Sequence, residues 1–282
     1  MNEFWSENVQ GVMTLYLSRR LRFHDRFFER YRKPFGLDGT RELRILEIGC
    51  GPGALAGSLH RWYPKARITG IDRDSRFIAF ARENVPGVEF VEGDAARLPF
   101  GDAEFDVTVS YTVQEHIEPA VFWGEQLRVL KPGGICLCLS ARKALRCTAP
   151  CLEITEIEKE FWDSVPQADS WLERNGVGAY RLSEAELPAA MERYGFSDVT
   201  ADYALIHLTP DAKDTPQEMA EAMIEAARQS DLEAIRSARS AGGERAASAV
   251  NARYDERLRL LRAGIKQWDT ELSVTMIVRG RK

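Results

Sequence analysis

From about residue 43 onward, short apolar runs alternate with amphipathic stretches. Apolar runs of four to six residues are typical of buried strands, and the stretches between them have the spacing of helices. The pattern predicts strands at 43–48, 66–71, 88–91, 105–110 and 135–140, and helices at 53–62, 75–84 and 119–130. Repeated strand–helix units predict an α/β fold with a parallel sheet and right-handed crossovers.

The two ends of the chain follow other patterns. Residues 1–32 carry apolar positions at helical spacing, and Pro34 and Gly36 are expected to end that segment. Residues 143–182 show no clear period and are predicted to be an irregular insertion. The remainder predicts a helix between Ser183 and Gly195, a strand at 198–208, helices at 215–241 and 243–268, and a strand at 270–280. A helical hairpin is therefore expected between the last two strands.

These patterns predict a division of the chain into four parts. They are an N-terminal helical cap (1–40), a core (41–142 with 183–210 and 269–282), a lid insertion (143–182) and a helical hairpin insertion (211–268).

Composition and charge limit the classes of protein to which the chain can belong. The chain has 282 residues, 44% of them hydrophobic, and a net charge of -5. This charge gives no overall attraction to nucleic acid or anionic lipid. The N-terminus lacks a signal-peptide pattern, and no apolar run approaches the roughly 20 residues of a membrane-spanning helix. The five cysteines lack the paired spacing of a zinc site, so we expect a cytoplasmic protein without a metal or disulfide framework.

The stretch LEIGCGPGAL places Gly49, Gly51 and Gly53 between a predicted strand and a predicted helix. Glycine permits positive φ and lets a ligand approach the backbone closely. The spacing differs from the G-x-G-x-x-G of dinucleotide sites, and Glu47 would repel a phosphate there. The stretch therefore disfavours a nicotinamide dehydrogenase, and a generic tight turn is the alternative interpretation.

Acidic residues also follow the next two predicted strands. Asp72 is placed to accept both hydroxyls of a ribose, because Asp74 or Ser75 can cap the following helix instead. Asp94 and the Ala95 amide can hold an adenine, with an Asx-turn as the alternative. Together with Glu47, these acids predict one sheet edge that suits a neutral or cationic nucleoside.

Five segments, LEIGCGPGAL, GIDRDS, EGDAARLPF, FDVTVSYTVQEHI and LRVLKPGG, occur in this order across residues 43–140. The series resembles the class I S-adenosylmethionine-dependent methyltransferases, in particular the small-molecule branch with a methyltransferase type 11-like domain. The resemblance implies a Rossmann-like, mostly parallel sheet of seven strands with helices on both faces. Its last strand would be antiparallel and inserted beside the sixth. It also implies S-adenosylmethionine as cofactor and S-adenosylhomocysteine as product.

The resemblance further implies roles for individual residues. Glycines of the first segment would pack against the amino acid part of the cofactor, and Glu47 would orient that loop or meet the ammonium. The implied cofactor contacts are Gly49, Gly51, Asp72 at the ribose, Arg73, Asp94 and Ala95 at the adenine, and Ser110 and Tyr111 on the methyl-donor side. An N-terminal helix often closes over the cofactor in this family, so Tyr16 or Arg20 is expected to meet the methionine carboxylate. A packed tyrosine and a solvated arginine are the alternatives.

A sulfonium methyl is already activated, so the protein must mainly align a nucleophile with it. His116 is the candidate base and Tyr111 a second candidate catalytic residue; a histidine bonded only to backbone is the alternative. Candidate substrate residues are Trp162, Trp171, Tyr180 and His207, for which local packing is the alternative. Thiol-based metalloid methylation by Cys147 and Cys151 is disfavoured, because Pro150 disturbs the intervening turn.

The sequence as a whole predicts methyl transfer to an oxygen, nitrogen or carbon nucleophile of a small molecule. Alternatives are a non-catalytic S-adenosylmethionine-binding sensor or assembly protein, and a protein or RNA methyltransferase. No nucleic-acid or membrane partner is expected, and a homodimer through the helical insertions is left open. The sequence does not identify the acceptor molecule, its acceptor atom or the pathway.

Overall fold

A computed structural model of the chain describes residues 5–166 and 176–282. Within them, seven strands form a single sheet. The strands are β1 (Arg44–Ile48), β2 (Arg67–Asp72), β3 (Glu89–Glu92), β4 (Phe105–Tyr111), β5 (Leu130–Cys147), β6 (Ser197–Leu208) and β7 (Thr270–Arg281). Their order across the sheet is β3-β2-β1-β4-β5-β7-β6.

The first five strands are parallel, and β7 lies antiparallel between β5 and β6. This arrangement confirms the predicted α/β fold, including the antiparallel last strand beside the sixth. The strand order reverses direction at β1, so the carboxyl ends of β1 and β4 flank a crevice. Open α/β sheets bind their ligands at such a point.

Ten α-helices surround the sheet in the part of the chain that the structure describes. They are α1 (Trp5–Asn8), α2 (Val12–Arg22), α3 (Phe28–Phe35), α4 (Ala54–Trp62), α5 (Ser75–Asn84), α6 (Pro119–Val129), α7 (Glu156–Ser164), α8 (Glu186–Arg193), α9 (Gln217–Ala238) and α10 (Gly243–Arg262). A short 3₁₀ helix, Gln114–His116, follows β4. No helix among the described residues is long and apolar enough to cross a membrane.

The N-terminal segment is not the continuous helix that its spacing predicts. It divides into α1, α2 and α3, and the backbone of Gly11 is extended between the first two. Pro34 does not end the segment either, because it lies inside the last turn of α3. The helix ends instead at Gly36, which adopts the left-handed conformation that glycine tolerates.

The prediction of an irregular insertion at 143–182 is wrong for part of that range. Strand β5 continues to Cys147 beside β7, after a register shift between Arg142 and Leu145. That shift interrupts the alternation of apolar and polar residues, which hides the strand in the sequence. Helix α7 then begins at a capping box formed by Thr155 and Glu158.

The helical hairpin is α9 and α10, and it has a small core of its own. Phe161 of α7 joins Ile224, Val250 and Tyr254 in that core. At its base, the guanidinium of Arg257 is fully buried between two aspartates. Helix α9 also packs against α2, so the hairpin lies beside the N-terminal helices.

Candidate functional site

A cavity of about 840 Å³, counted out to its open mouth, lies between α1, α2 and the carboxyl ends of β1, β2 and β4. We call it the first cavity. The residues that line it are Trp5, Gln10, Leu15, Arg19, Gly49, Gly51, Ile71, Asp72, Arg73, Phe77, Gly93, Asp94, Ala95, Tyr111, Thr112, Val113, His116 and Ile117.

The glycine-rich loop after β1 forms the floor of this cavity. Gly49 has φ +67°, and a side chain there would overlap a methyl group of Val113. Gly51 has φ +53°, and its amide donates a hydrogen bond to Asp72 Oδ2 at 2.9 Å. Glycine is required at this loop because of its conformation and its closeness to β4.

Asp72 joins the loop to the start of α5. Its second oxygen accepts a hydrogen bond from the Asp74 amide at 2.9 Å. Asp74, not Asp72, caps α5, since its side chain accepts from the Arg76 amide at 3.0 Å. Burial raises the pKa of Asp72, and the two backbone hydrogen bonds oppose that rise. A carboxylate has about four lone-pair directions, so Asp72 keeps acceptor capacity toward the cavity.

The wall beyond Asp72 contains the other residues implied at the nucleoside. Arg73, Asp94 and Ala95 all line the first cavity. Asp94 Oδ1 also accepts a hydrogen bond from the Ala96 amide at 2.9 Å, which is the expected Asx-turn. The two interpretations of Asp94 are therefore compatible, because the turn holds the residue at the cavity wall.

Glu47 does not line the first cavity. It is buried in β1, and its carboxylate lies near the Ala56 amide in the first turn of α4. Burial raises the pKa of Glu47 well above its usual value, and the nearby charge of Arg19 opposes that rise. Of the two roles implied for Glu47, its position supports orientation of the loop.

The N-terminal helices cover the cavity, but through a different arginine from the one expected. Arg19 Nη2 donates to Thr112 Oγ1 at 2.7 Å, and the guanidinium lies 3.9 Å from the centre of the Tyr111 ring. Tyr16 instead packs against Phe80, while Arg20 is exposed in a separate groove. Arg19 comes four positions after Leu15, so both side chains lie on the cavity side of α2. This i, i+4 relation is the signal in the sequence that could have identified Arg19.

Polar contacts hold α1 over the sheet edge. The Ser6 amide donates to Asp74 Oδ2 at 2.8 Å, and Glu7 forms an ion pair with Arg76. At the start of α2, the Gly11 amide donates to Glu233 of α9 at 2.6 Å. The cover of the first cavity is thus connected both to α5 and to the helical hairpin.

The end of β4 presents Tyr111 and then Thr112 to the cavity. Thr112 has φ +57°, which is rare for a β-branched residue and is found mainly where function requires it. Ser110, in contrast, is fully buried beside the Cys138 thiol and does not line the cavity. The expectation of a Ser110 contact on the methyl-donor side is therefore not supported by its position.

His116 lines the first cavity, but a backbone amide engages its ring. The Gly178 amide donates to His116 Nδ1 at 2.9 Å. The Trp5 ring contacts it edge-on, with centroids 4.8 Å apart. Burial, followed by the charges of Arg181 and Arg73, lowers the pKa of His116 to about 4. The imidazole is thus neutral near pH 7, with its Nδ1 lone pair occupied.

The candidate substrate residues are not brought together at this cavity. Trp162 packs edge-on against Phe161, and His207 hydrogen-bonds Thr209 at 2.9 Å. The backbone of Tyr180 bonds to Glu115 and to the Gln114 side chain, but its own side chain is exposed. Trp171 lies outside the described residues. Sequence reasoning instead missed Trp5, Gln10, Phe77, Thr112 and Val113 as lining residues.

Comparisons with known proteins agree with this geometry. Residues 46–138 match the family described as methyltransferase domain. A fatty-acid O-methyltransferase of Mycolicibacterium smegmatis is 41% identical over 125 residues, which are 43% of this chain and 43% of that protein. A demethylmenaquinone methyltransferase of Chlorobaculum tepidum is 40% identical over 99 residues, covering 35% of this chain and 40% of the relative. The chain therefore spans about two fifths of the length of these relatives.

Solved structures show the same fold at low sequence identity. Phosphoethanolamine N-methyltransferase 2 of Haemonchus contortus, in complex with S-adenosylmethionine, has a TM-score of 0.54 at 16% identity, covering 99% of this chain and 59% of that one. The [4+2]-cyclase SpnF has a TM-score of 0.52 at 20% identity, covering 92% and 80%. Because a cyclase shares it, the fold alone does not define the reaction.

The sheet topology, the glycine-rich loop and the acid after β2 agree with the match of residues 46–138 to a methyltransferase domain.

Proposed function

We propose that the protein transfers a methyl group from S-adenosylmethionine to a nucleophile of a small molecule by in-line displacement. The observation that carries the proposal is the arrangement of Gly49, Gly51, Asp72 and Asp94 around one cavity. The two carboxylates that line the cavity disfavour a pyrophosphate, because like charges repel. Carboxylates do suit the hydroxyls of a ribose and the exocyclic amine of an adenine.

Residues of the first cavity fit each part of this cofactor. Asp72 would accept from the ribose hydroxyls, and Asp94 with the Ala95 amide would hold the adenine. Gly49 lies too close to Val113 to carry a side chain, so its backbone is bare and can contact the amino acid part of the cofactor. Arg19 replaces Tyr16 and Arg20 as the proposed partner of the carboxylate, because it is the arginine of α2 that lines the cavity.

The bound cofactor supplies an electrophilic methyl group on a sulfonium. The chain must hold a nucleophile about 3 Å from that methyl group and in line with it. Tyr111, Thr112 and Val113 at the end of β4 provide the rigid surface against which this alignment is set. Trp5 and Leu15 of the covering helices exclude water from it.

We propose that His116 positions the cover and does not act as a general base. Its Nδ1 lone pair is occupied by the Gly178 amide, and a neutral ring then carries its proton on Nε2. A base needs a free lone pair toward the nucleophile. The contacts of His116 with Trp5 and Gly178 instead connect α1 to the 176–182 segment.

The relatives support a small-molecule acceptor. Their names refer to a fatty acid and to demethylmenaquinone, neither of which is a macromolecule. The net charge of -5 also disfavours RNA as the substrate. A cofactor-binding protein without catalysis is the second candidate, because the acids that line the cavity concern binding more directly than turnover.

The test has a binding step and a turnover step. Calorimetry should show binding of S-adenosylmethionine and S-adenosylhomocysteine in the micromolar range and no binding of NAD. Tritiated S-adenosylmethionine should then label members of a panel of small phenols, quinols, amines and fatty acids. Binding without any labelled product would favour the non-catalytic candidate, and binding of NAD alone would contradict the proposal.

A further inference from the structure

A second cavity, larger than the first, lies on the other side of α2. Its volume is about 1250 Å³ out to its open mouth. Helix α2, the ends of β5 and β6, the start of β7 and both helices of the hairpin enclose it. These strand ends belong to the same edge of the sheet as the first cavity, because β7 runs antiparallel to β5 and β6.

Helix α2 separates the two cavities. Leu15 and Arg19 line the first cavity, whereas Thr14 and Ser18 line the second. Among the described residues, Gln10, two positions before the helix begins, is the one that lines both cavities. A ligand in the second cavity would therefore meet a ligand in the first at the Gln10 end of α2.

One side of the second cavity is apolar. Leu21 of α2, Leu208 of β6, and Met223 and Ile224 of α9 contribute to this side. All four side chains are buried, with exposed fractions of 8% or less. When the hydrocarbon part of a ligand packs against these side chains, the gain in free energy comes mainly from the ligand's own apolar area leaving water.

The other side carries charges that cancel one another. Glu271 accepts from Arg22 at 2.9 Å and from Arg146 at 2.8 Å. Arg253 is paired with Asp231 at 2.6 Å, and the Tyr254 hydroxyl donates to the same carboxylate at 2.8 Å. With Asp269, the lining contains three arginines and three acids. A ligand with a net charge would have to compete with these pairs, whereas hydroxyl and carbonyl groups can join them.

We propose that the second cavity binds the methyl acceptor, and that this acceptor is an uncharged amphipathic molecule. Its hydrocarbon part lies against Leu208, Met223 and Ile224, and its nucleophile reaches the first cavity past Gln10. A lone pair of the nucleophile forms the new bond to the methyl carbon as the carbon–sulfur bond breaks. The bonding pair goes to sulfur, which gives S-adenosylhomocysteine, and the proton of the nucleophile passes to solvent. The inference rests on the proposed function of the first cavity.

The test uses the neutral amphipathic fluorophore N-phenyl-1-naphthylamine and the 282-residue protein, first alone and then with S-adenosylhomocysteine added. Ser230 lines the second cavity and is exposed, so Ser230→Phe should fill space there without disturbing a core. Ala234 is one turn further along α9, is also exposed and lines neither cavity, which makes Ala234→Phe the matched control. We expect at least a tenfold weaker fluorophore affinity in the first variant and no change in the second.

Competition separates this proposal from its alternatives. Dodecanol should displace the fluorophore at concentrations at least tenfold lower than dodecanoate or dodecyltrimethylammonium. Preferential displacement by either ion would overturn the assignment of an uncharged acceptor. Displacement of the fluorophore by S-adenosylhomocysteine, or equal affinity in both phenylalanine variants, would overturn the site. Failure of the proposed function would show separately, as no calorimetric binding of S-adenosylhomocysteine.

Discussion

The two cavities on either side of α2 are built in different ways. Backbone groups and short side chains at the ends of successive strands form the first, and its key contacts join residues about 20 positions apart, such as Gly51 and Asp72. Ion pairs between distant segments form much of the second, including Arg22 with Glu271 and Arg253 with Glu158. A site of the first kind can be identified from a local motif, whereas one of the second kind becomes visible only after folding.

The largest expected effect is a loss of stability at the base of the helical hairpin. Ligand binding in the first cavity should not change with it. Arg257→Ala leaves Asp211 and Asp269 buried without their cation, which should lower the free energy of unfolding by about 3–5 kcal/mol. Chemical denaturation checks this, with Arg259→Ala as control because Arg259 pairs only with Glu256 on the surface. The S-adenosylhomocysteine affinity of folded Arg257→Ala should be unchanged. If Arg257→Ala lost affinity for S-adenosylhomocysteine without losing stability, the contrast drawn between the two cavities would be wrong.

The next effect concerns cofactor affinity alone. Asp72→Ala removes the proposed ribose acceptor and two backbone hydrogen bonds, so S-adenosylmethionine binding should weaken by about 2–3 kcal/mol. Glu92→Ala is the control, because Glu92 ends the neighbouring strand, is exposed and does not line the cavity. Calorimetry on both variants suffices, and equal affinities would remove Asp72 from the site.

A smaller effect is expected at the other end of the nucleoside. Asp94→Ala should weaken S-adenosylmethionine binding by about 1 kcal/mol, since the adenine amine is an uncharged donor. Asp94→Asn keeps the oxygen that accepts from the Ala96 amide and should lose less affinity than the alanine variant. A larger loss for asparagine than for alanine would contradict the assignment of Asp94 as an acceptor.

The smallest effect is a pH dependence. The pKa of His116 is lowered to about 4 in the folded protein, below its ordinary value near 6.5. The unfolded chain therefore binds a proton first as the pH falls, so the His116 contribution to stability is present above pH 6.5 and is lost toward pH 4. His116→Gln should flatten this part of the stability profile measured by denaturation. A rate of methyl transfer that follows an ionisation near pH 4, and that loses this ionisation in His116→Gln, would restore His116 as the base.

Much of the fold followed from the sequence. The strands up to residue 140 and the helices between them lie within a few residues of their predicted bounds, because hydrophobic periodicity is strong where the connections are short. The N-terminal helix breaks and the extension of β5 were missed. The break between the first two helices depends on the extended backbone of Gly11, and the extension of β5 depends on a register shift after Arg142. Neither feature produces a periodic pattern in the sequence.

Much of the candidate site could also be predicted from the sequence. Gly49, Gly51, Asp72, Arg73, Asp94, Ala95 and Tyr111 line the cavity as expected from their strand-end positions. The structure places Arg19 at the cavity, one position before the expected Arg20. Each residue turns an α-helix by about 100°, so these two neighbouring side chains lie on different faces. Whether these residues bind a cofactor is still a prediction.

The central claim is that the cofactor binds between the N-terminal cover and the sheet edge, separately from the acceptor. Amide hydrogen exchange with and without S-adenosylhomocysteine tests it most directly. We expect slower exchange in residues 5–22, 49–53, 72–77 and 111–117, and no change across α9 and α10 beyond their contacts with α2. Protection centred on residues 217–262, with none at 49–53 or 72–77, would contradict the account.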